Sequence, residues 1–153
     1  MIVSFDSNIL VYAADKDAGV RHHRAADLIE RAIRLRTGIL TLQALSEFFN
    51  VVTRKIKIEA TSAMAFIDGW IAVLPVQCAT ERDLVEAARV VRDHGLQFWD
   101  AMLWSAARRA GVRYLLTEDL QDGRVLEGVT FVNPFAPSNE QVVETYLPRI
   151  STQ

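Results

Sequence analysis

The segment Ile2-Val-Ser-Phe-Asp-Ser-Asn8, close to the start of the chain, decides the fold class. Residues 2–5 form a short apolar run that is too short for a helix. The polar triplet Asp6-Ser7-Asn8 bounds this run, which favours a buried strand. Asp6 then lies at the carboxyl end of that strand. In open parallel sheets the ligand site lies beyond the carboxyl ends of the strands, so Asp6 is a candidate functional residue.

Outward from this strand, short apolar runs alternate with stretches of helical periodicity. Residues 38–41, 114–117 and 129–132 are predicted strands, and residues 74–76 are a possible edge strand that tolerates its proline. Helices are predicted over residues 21–36, 43–54, 62–73, 81–93 and 99–110. Strands that alternate with helices predict an α/β fold, with a central parallel sheet covered by helices on both faces.

Length and composition indicate one domain with a sizeable core. The chain has 153 residues, half of them hydrophobic, and a net charge of -2. This balance lacks the overall basic character of a passive nucleic-acid binder, so any phosphate must be held locally. We assign residues 1–136 to the domain. Residues 137–153 form a polar tail with one possible helical turn, which could cap the domain, join a dimer contact or be disordered.

The chain is expected to be soluble and cytoplasmic. Asp6 and Asn8 interrupt the apolar start before a signal-peptide core could form. No uncharged apolar run approaches the roughly 18 to 20 residues that span a bilayer. The single cysteine, Cys78, cannot form an internal disulfide, which suits a reducing compartment.

Four acidic residues are predicted to lie beside apolar sequence without an adjacent cation. Asp6 and Asp119 follow predicted strands, Asp100 stands in the first turn of a helix, and Glu47 is flanked by apolar residues. Taken singly, most such acids cap helices, form turns or face water. Taken jointly they indicate a metal site, because an unpaired buried acid is costly and Mg²⁺ prefers oxygen ligands.

The sequence resembles the PIN-domain family, and within it the VapC-like toxins of bacterial and archaeal toxin–antitoxin pairs. The resemblance runs in order through residues 2–135. It rests on the segments Phe5-Asp-Ser-Asn-Ile-Leu10, Gln43-Ala-Leu-Ser-Glu-Phe48, Phe98-Trp-Asp-Ala101, Leu115-Leu-Thr-Glu-Asp-Leu120 and Asn133-Pro-Phe135.

This resemblance implies a three-layer α/β/α domain with Mg²⁺- or Mn²⁺-dependent endoribonuclease activity. Carried over position by position, Asp6, Glu47, Asp100 and Asp119 would form the catalytic and metal-binding site. Asn8 and Thr117 would orient carboxylates or water. Glu118 and Asp122 lie within a few residues of Asp119, and either could share its work.

The resemblance also implies a role and partners. The protein would be the toxin of a toxin–antitoxin pair that inhibits translation by cutting tRNA or ribosomal RNA. Its partners would be RNA and a cognate antitoxin protein, and the protein would form a homodimer. Trp70 is a candidate residue for the dimer face. Trp99 and Trp104 could stack on bases or lie in the core. Basic residues that are candidates for RNA contacts, or equally for solvated helix faces, are Arg21, Arg24, Arg54, Lys55 and Lys57.

Other functions remain open at this point. A phosphatase with an aspartyl nucleophile usually has a second acid two residues after the first, but here that position is Asn8. A non-catalytic RNA-binding PIN module would be expected to lack one of the acids, and all four are present. A housekeeping RNA-processing PIN nuclease is the third alternative.

Overall fold

A computed structural model describes residues 1–150, which form one mostly parallel sheet flanked by helices. The strands are β1 (Ile2–Phe5), β2 (Gly38–Thr41), β3 (Val76–Gln77), β4 (Val112–Leu116), β5 (Val125–Leu126) and β6 (Val129–Val132). The helices are α1 (Ser7–Ala14), α2 (Val20–Arg34), α3 (Leu42–Arg54), α4 (Ala60–Ile71), α5 (Glu81–His94), α6 (Phe98–Arg109) and α7 (Glu140–Tyr146). Short 3₁₀ helices cover Lys16–Ala18 and Pro137–Asn139.

The sheet has the strand order β3-β2-β1-β4-β6-β5, so β1 lies near its centre. β1 runs parallel to β2 and β4, with Ser4 opposite Ile39 on one side and Leu115 on the other. Val3 and Phe5 on β1 are fully buried. Since β1 and β4 are parallel neighbours, the residues that follow them meet at one edge of the sheet.

The predicted α/β fold with a central parallel sheet is confirmed. The predicted strands and helices begin and end within two residues of the observed ones. Besides the two short 3₁₀ helices, one α-helix and one strand were not predicted: α1, where the sequence indicated a turn, and β5, which pairs with β6 antiparallel. Glu127 and Gly128 join β5 to β6 with positive φ values of 45° and 86°, as a two-residue hairpin loop requires.

An ion pair between the buried Asp83 and the partly exposed Arg109 joins α5 to α6. Asp83 accepts hydrogen bonds from Arg109 Nη2 at 2.8 Å, Ser105 Oγ at 2.9 Å and the backbone N–H of Thr80 at 2.8 Å. Burial alone would raise the pKa of Asp83, but these hydrogen bonds outweigh it and leave the pKa below its usual value. The Asp83 carboxylate therefore stabilises the fold in its charged form.

The C-terminal tail packs on the domain as far as the structure describes it. Leu147 of the segment after α7 is fully buried, and the Tyr146 ring stacks on Tyr114 with centroids 4.0 Å apart and planes 12° apart. Arg31 on α2 donates to Glu144 at 2.7 Å and to the Leu147 carbonyl at 3.0 Å. Residues 137–150 thus cap the domain, whereas residues 151–153 of the predicted tail lie outside the described residues.

None of the helices within residues 1–150 is long and apolar enough to cross a membrane.

Candidate active site

Asp6 is the buried centre of the site and the N-cap of α1. Its Oδ1 accepts the Ser7 backbone N–H at 2.7 Å, and its Oδ2 accepts the Thr117 hydroxyl at 2.8 Å. Burial raises the pKa of Asp6 from its ordinary 3.8 to about 6. Hydrogen bonds from Thr117 and Ser7 oppose this rise, and the charges of Glu47 and Asp100 add to it. The Asp6 carboxylate is thus held in place in an environment that disfavours its negative charge.

Glu47 lies on α3 and faces the start of α1. Its Oε2 accepts the Ser7 hydroxyl at 3.0 Å, and its Oε1 accepts Nε2 of Gln43, one helical turn earlier, at 2.9 Å. The same Gln43 nitrogen donates to the Trp99 carbonyl at 2.9 Å, at the start of α6. Gln43 therefore links the helix that carries Glu47 to the helix that carries Asp100.

Asp100 stands in the first turn of α6 and is partly buried. Burial raises its pKa, and the negative charges of Asp119 and Glu47 raise it further. Asp119 follows β4 and is exposed, and its Oδ2 accepts Nδ2 of Asn8 at 3.0 Å. The backbone N–H of Asp119 donates to the Thr117 hydroxyl oxygen at 3.2 Å, so Thr117 contacts both Asp6 and Asp119.

A chain of electrostatic interactions through Asp100 links the four acids at the carboxyl edge of the sheet. The negative charges of Glu47 and Asp100 raise the pKa of Asp6, and those of Asp119 and Glu47 raise the pKa of Asp100. Among residues 1–150, no lysine, arginine or histidine side chain forms an ion pair with any of the four. Within residues 1–150, the negative charge at this edge is therefore not neutralised by an ion pair.

The donor set fits a hard divalent cation. It consists of carboxylate oxygens, supported by amide and hydroxyl groups, and Mg²⁺ and Mn²⁺ prefer oxygen ligands. Asn8 Oδ1 is also buried and accepts no hydrogen bond from the described residues. Over the same 150 residues, however, no three His, Cys, Asp or Glu side chains already converge on one point. Ion binding would therefore draw the carboxylates together and exchange some of their present hydrogen bonds.

Neither Glu118 nor Asp122 joins the four acids. Glu118 accepts the Tyr12 hydroxyl at 2.8 Å and pairs with Arg21 Nε at 2.8 Å. Asp122 accepts the backbone N–H of Asn133 at 2.8 Å and the side-chain amide of Asn139 at 2.9 Å. Glu118 and Asp122 are thus bound to partners other than the four acids, whereas the charge of Asp119 acts on Asp100.

The predicted basic contacts differ in their surroundings. Arg24 pairs with Glu140 at 2.8 Å, donates to the Pro134 carbonyl at 3.2 Å, and has a side chain only 14% exposed, so it holds the tail in place. Arg21 is half exposed beside Glu118, the neighbour of Asp119. The exposed side chains of Arg54, Lys55 and Lys57 lie at the C-terminal end of α3 or just after it. This end of α3 is about 10 Å from Glu47 along the helix axis.

Sequence reasoning did not assign a role to Ser7 or Gln43, although both donate hydrogen bonds to Glu47. The spacing between Gln43 and Glu47 could have indicated their contact, because residues four apart lie on one face of a helix. Nothing local in the sequence marks the contact of Ser7, which spans 40 residues of chain.

These features define a class: an α/β domain whose parallel strands gather acidic oxygen ligands at their carboxyl edge. The family model for the PIN domain matches residues 3–125 of the chain. Because this match spans most of its length, the chain belongs to the PIN domain family.

Solved structures of toxins and toxin–antitoxin complexes share this fold. The VapC20 toxin of Mycobacterium tuberculosis, described as cleaving the sarcin-ricin loop, is 17% identical with a TM-score of 0.59, over 76% of this chain and 89% of that one. VapBC2 from Rickettsia felis, bound to a promoter DNA fragment, is 15% identical with a TM-score of 0.62, over 86% and 97%.

A toxin–antitoxin complex from Klebsiella pneumoniae is 20% identical with a TM-score of 0.59, over 87% of this chain and 98% of that one. At such identities the likeness shows a shared fold. A search of curated protein sequences gave no significant match.

Proposed function

We propose that this protein is an endoribonuclease that depends on Mg²⁺ or Mn²⁺ and hydrolyses RNA phosphodiester bonds. The observation that carries the proposal is a set of four neighbouring acids on a PIN domain, none of which forms an ion pair with a basic side chain among residues 1–150. An acidic cluster without neutralising partners opposes folding, and its position at the carboxyl edge, where open parallel sheets place their ligand sites, favours a functional role.

Asp6, Asp100 and Asp119 would hold the cation directly or through water. A bound Mg²⁺ or Mn²⁺ would supply charge neutralisation at the scissile phosphate and at the leaving oxygen. Glu47 would accept the proton of the attacking water or help to hold a second ion. Water attack on phosphorus breaks the bond to the 3′ oxygen, so the products would carry a 5′-phosphate and a 3′-hydroxyl.

The surrounding side chains would keep the carboxylates in position. Thr117 and Ser7 orient Asp6 and Glu47 through the hydroxyl donors described above, and Asn8 orients Asp119. Arg21 is the basic residue best situated for an RNA phosphate, because its guanidinium is half exposed and lies beside the neighbour of Asp119.

The proposed cellular role is that of a toxin in a toxin–antitoxin pair. The fold is shared with the VapC20 toxin and with toxin–antitoxin complexes. The protein would cut tRNA or ribosomal RNA in the cytoplasm and so inhibit translation. A cognate antitoxin protein would inhibit it, and the active form would be a homodimer.

The test is the mapping of new RNA 5′ ends after brief expression of the protein. Wild type should produce discrete cleavage sites, whereas Asp6→Asn and Asp100→Asn should produce none, because an amide keeps the shape but loses the charge that holds the ion. Circular dichroism should show unchanged folding of both variants. Cleavage at the wild-type level by either variant would exclude the proposed site.

A second experiment addresses the toxin role. Pull-down from the native host should recover a small companion protein, and that companion should suppress RNA cleavage in vitro. Recovery of no companion, together with harmless overexpression, would contradict the toxin assignment while leaving ribonuclease activity open to measurement.

A further inference from the structure

The two aromatic residues that open α6 are exposed beside the acidic site. Trp99 is 56% exposed and Phe98 is 37% exposed, and their rings meet edge to face with centroids 5.0 Å apart. The other two tryptophans are buried: Trp70 is 8% exposed in an aromatic cluster, and Trp104 is fully buried and donates to the Leu126 carbonyl. Trp99 thus leaves a large apolar ring in water where the other tryptophans do not.

The backbone at Trp99 is tied to the acidic site. Its carbonyl accepts Nε2 of Gln43, the amide that also donates to Glu47, and Asp100 is the next residue. Consecutive helical residues point about 100° apart, so the Trp99 side chain leaves α6 on the face next to the one that carries Asp100. A nucleotide whose phosphate lies at Asp100 would therefore have its base within reach of this exposed ring.

We infer that Trp99, supported by Phe98, is a stacking platform for one unpaired nucleobase next to the scissile phosphate. The inference rests on the proposed function. Every RNA phosphate has a nucleobase on the adjoining sugars, and base stacking on an exposed aromatic ring is a general means of binding single strands. The ring supplies the apolar surface that the acids lack. The ligand of this platform is thus a base that has left its helix, and the platform favours unpaired loops over duplex RNA.

The test is a cycle that removes the ring and the base separately. The substrate is a single-stranded RNA oligonucleotide with one mapped cleavage site, in which each flanking nucleotide is made abasic in turn. For wild type, one abasic position should lower kcat/KM by about thirtyfold, the middle of the range for stacking on an aromatic ring.

The Trp99→Leu variant should lose the same factor on the intact RNA, mainly through KM, and should lose little more on the abasic RNA. Trp99→Phe should retain most of the activity. Val85→Ala on α5 is a matched control, because Val85 is 66% exposed and lies outside the acidic site. If Trp99→Leu and the abasic nucleotide together lower kcat/KM by the product of their separate factors, the inference is overturned. It is also overturned if Trp99→Leu cleaves the intact RNA like wild type.

A binding measurement separates failure of the platform from failure of the proposed function. In the Glu47→Gln variant the three aspartates remain, and an unpaired RNA oligonucleotide should quench tryptophan fluorescence. Adding Trp99→Leu should remove that quenching. If Trp99→Leu instead weakens self-association or companion binding and leaves both quenching and cleavage unchanged, Trp99 belongs to a protein interface and the inference is wrong.

Discussion

Removal of the Asp6 charge should stabilise the metal-free protein at neutral pH. Burial raises the pKa of Asp6 from 3.8 to about 6, so ionisation within the fold is disfavoured relative to the unfolded chain. A rise of about two pH units corresponds to about 3 kcal/mol of folding free energy above pH 6. Asn resembles the neutral acid and is as good an N-cap as Asp. Asp6→Asn should therefore unfold at a higher temperature than wild type.

The pH dependence gives this prediction its sign. An acid with a raised folded-state pKa helps the fold fully below 3.8 and loses that help as the pH rises through about 6. The advantage of Asp6→Asn should be largest near pH 7.5, shrink between pH 6 and pH 4, and vanish below that. For a chain of this length, 3 kcal/mol corresponds to a Tm shift of roughly 6 to 12 °C, of which imperfect hydrogen bonding to Thr117 removes part.

The assay is thermal unfolding by circular dichroism after EDTA treatment, at several pH values. Asp119→Asn is the matched control, because Asp119 is exposed and its replacement should barely change the Tm. Mn²⁺ should raise the Tm of wild type more than that of Asp6→Asn, since it binds only the folded state. If Asp6→Asn melts below wild type at every pH and Mn²⁺ shifts both equally, Asp6 is a structural cap and the electrostatic reasoning fails.

Three further predictions concern the metal and the stability of the fold. RNA cleavage, measured on gels, should stop in EDTA and return with Mn²⁺ or Mg²⁺. Ca²⁺ should not restore it, because Ca²⁺ has a larger and looser coordination shell than Mg²⁺. Undiminished cleavage in EDTA would exclude a metal mechanism. Asp83→Asn should lower the free energy of unfolding by about 2 kcal/mol above pH 4, because an amide replaces the charged acceptor of the Arg109, Ser105 and Thr80 hydrogen bonds. This difference should fade at more acidic pH as the depressed pKa of Asp83 is passed, and a pH-independent loss in urea titrations would contradict it. Tyr146→Phe should be neutral or stabilising by about 1 kcal/mol, because the buried Tyr146 hydroxyl has no hydrogen-bond partner among residues 1–150; a loss of stability in the same titrations would show a hidden partner.

The sequence predicted the elements that have a clear hydrophobic period. Helix α2 and helix α5 each have one apolar face and one charged face, and residues 21–36 and 81–93 were predicted on that basis. Helix α1 was not predicted because it has no such pattern: Ile9, Leu10 and Val11 are consecutive and all are buried. Strand β5 has only two residues, too few to produce a periodic signal.

The acids could be chosen as candidates from the sequence because Asp6 and Asp119 follow strands and Asp100 lies in the first turn of a helix. The different surroundings of Asp119, Glu118 and Asp122 could not be predicted from the sequence. Glu118 is engaged by Tyr12 and Arg21, residues 106 and 97 positions away in sequence, and Asp122 by residues 11 and 17 positions away. Local sequence contains no information on such pairings, since they depend on which elements the folded chain brings together.

The docked tail has a practical consequence for shortened versions of the chain. The family match ends at residue 125, and residue 136 was our predicted domain boundary. Truncation at residue 136 would expose the Tyr114 ring on β4 and leave Arg31 on α2 without the Glu144 carboxylate. It would also remove Val143 and Leu147 from the core, where both are fully buried. A protein cut at residue 136 should therefore expose apolar surface and precipitate on expression, whereas one that extends through α7 and Leu147 should not.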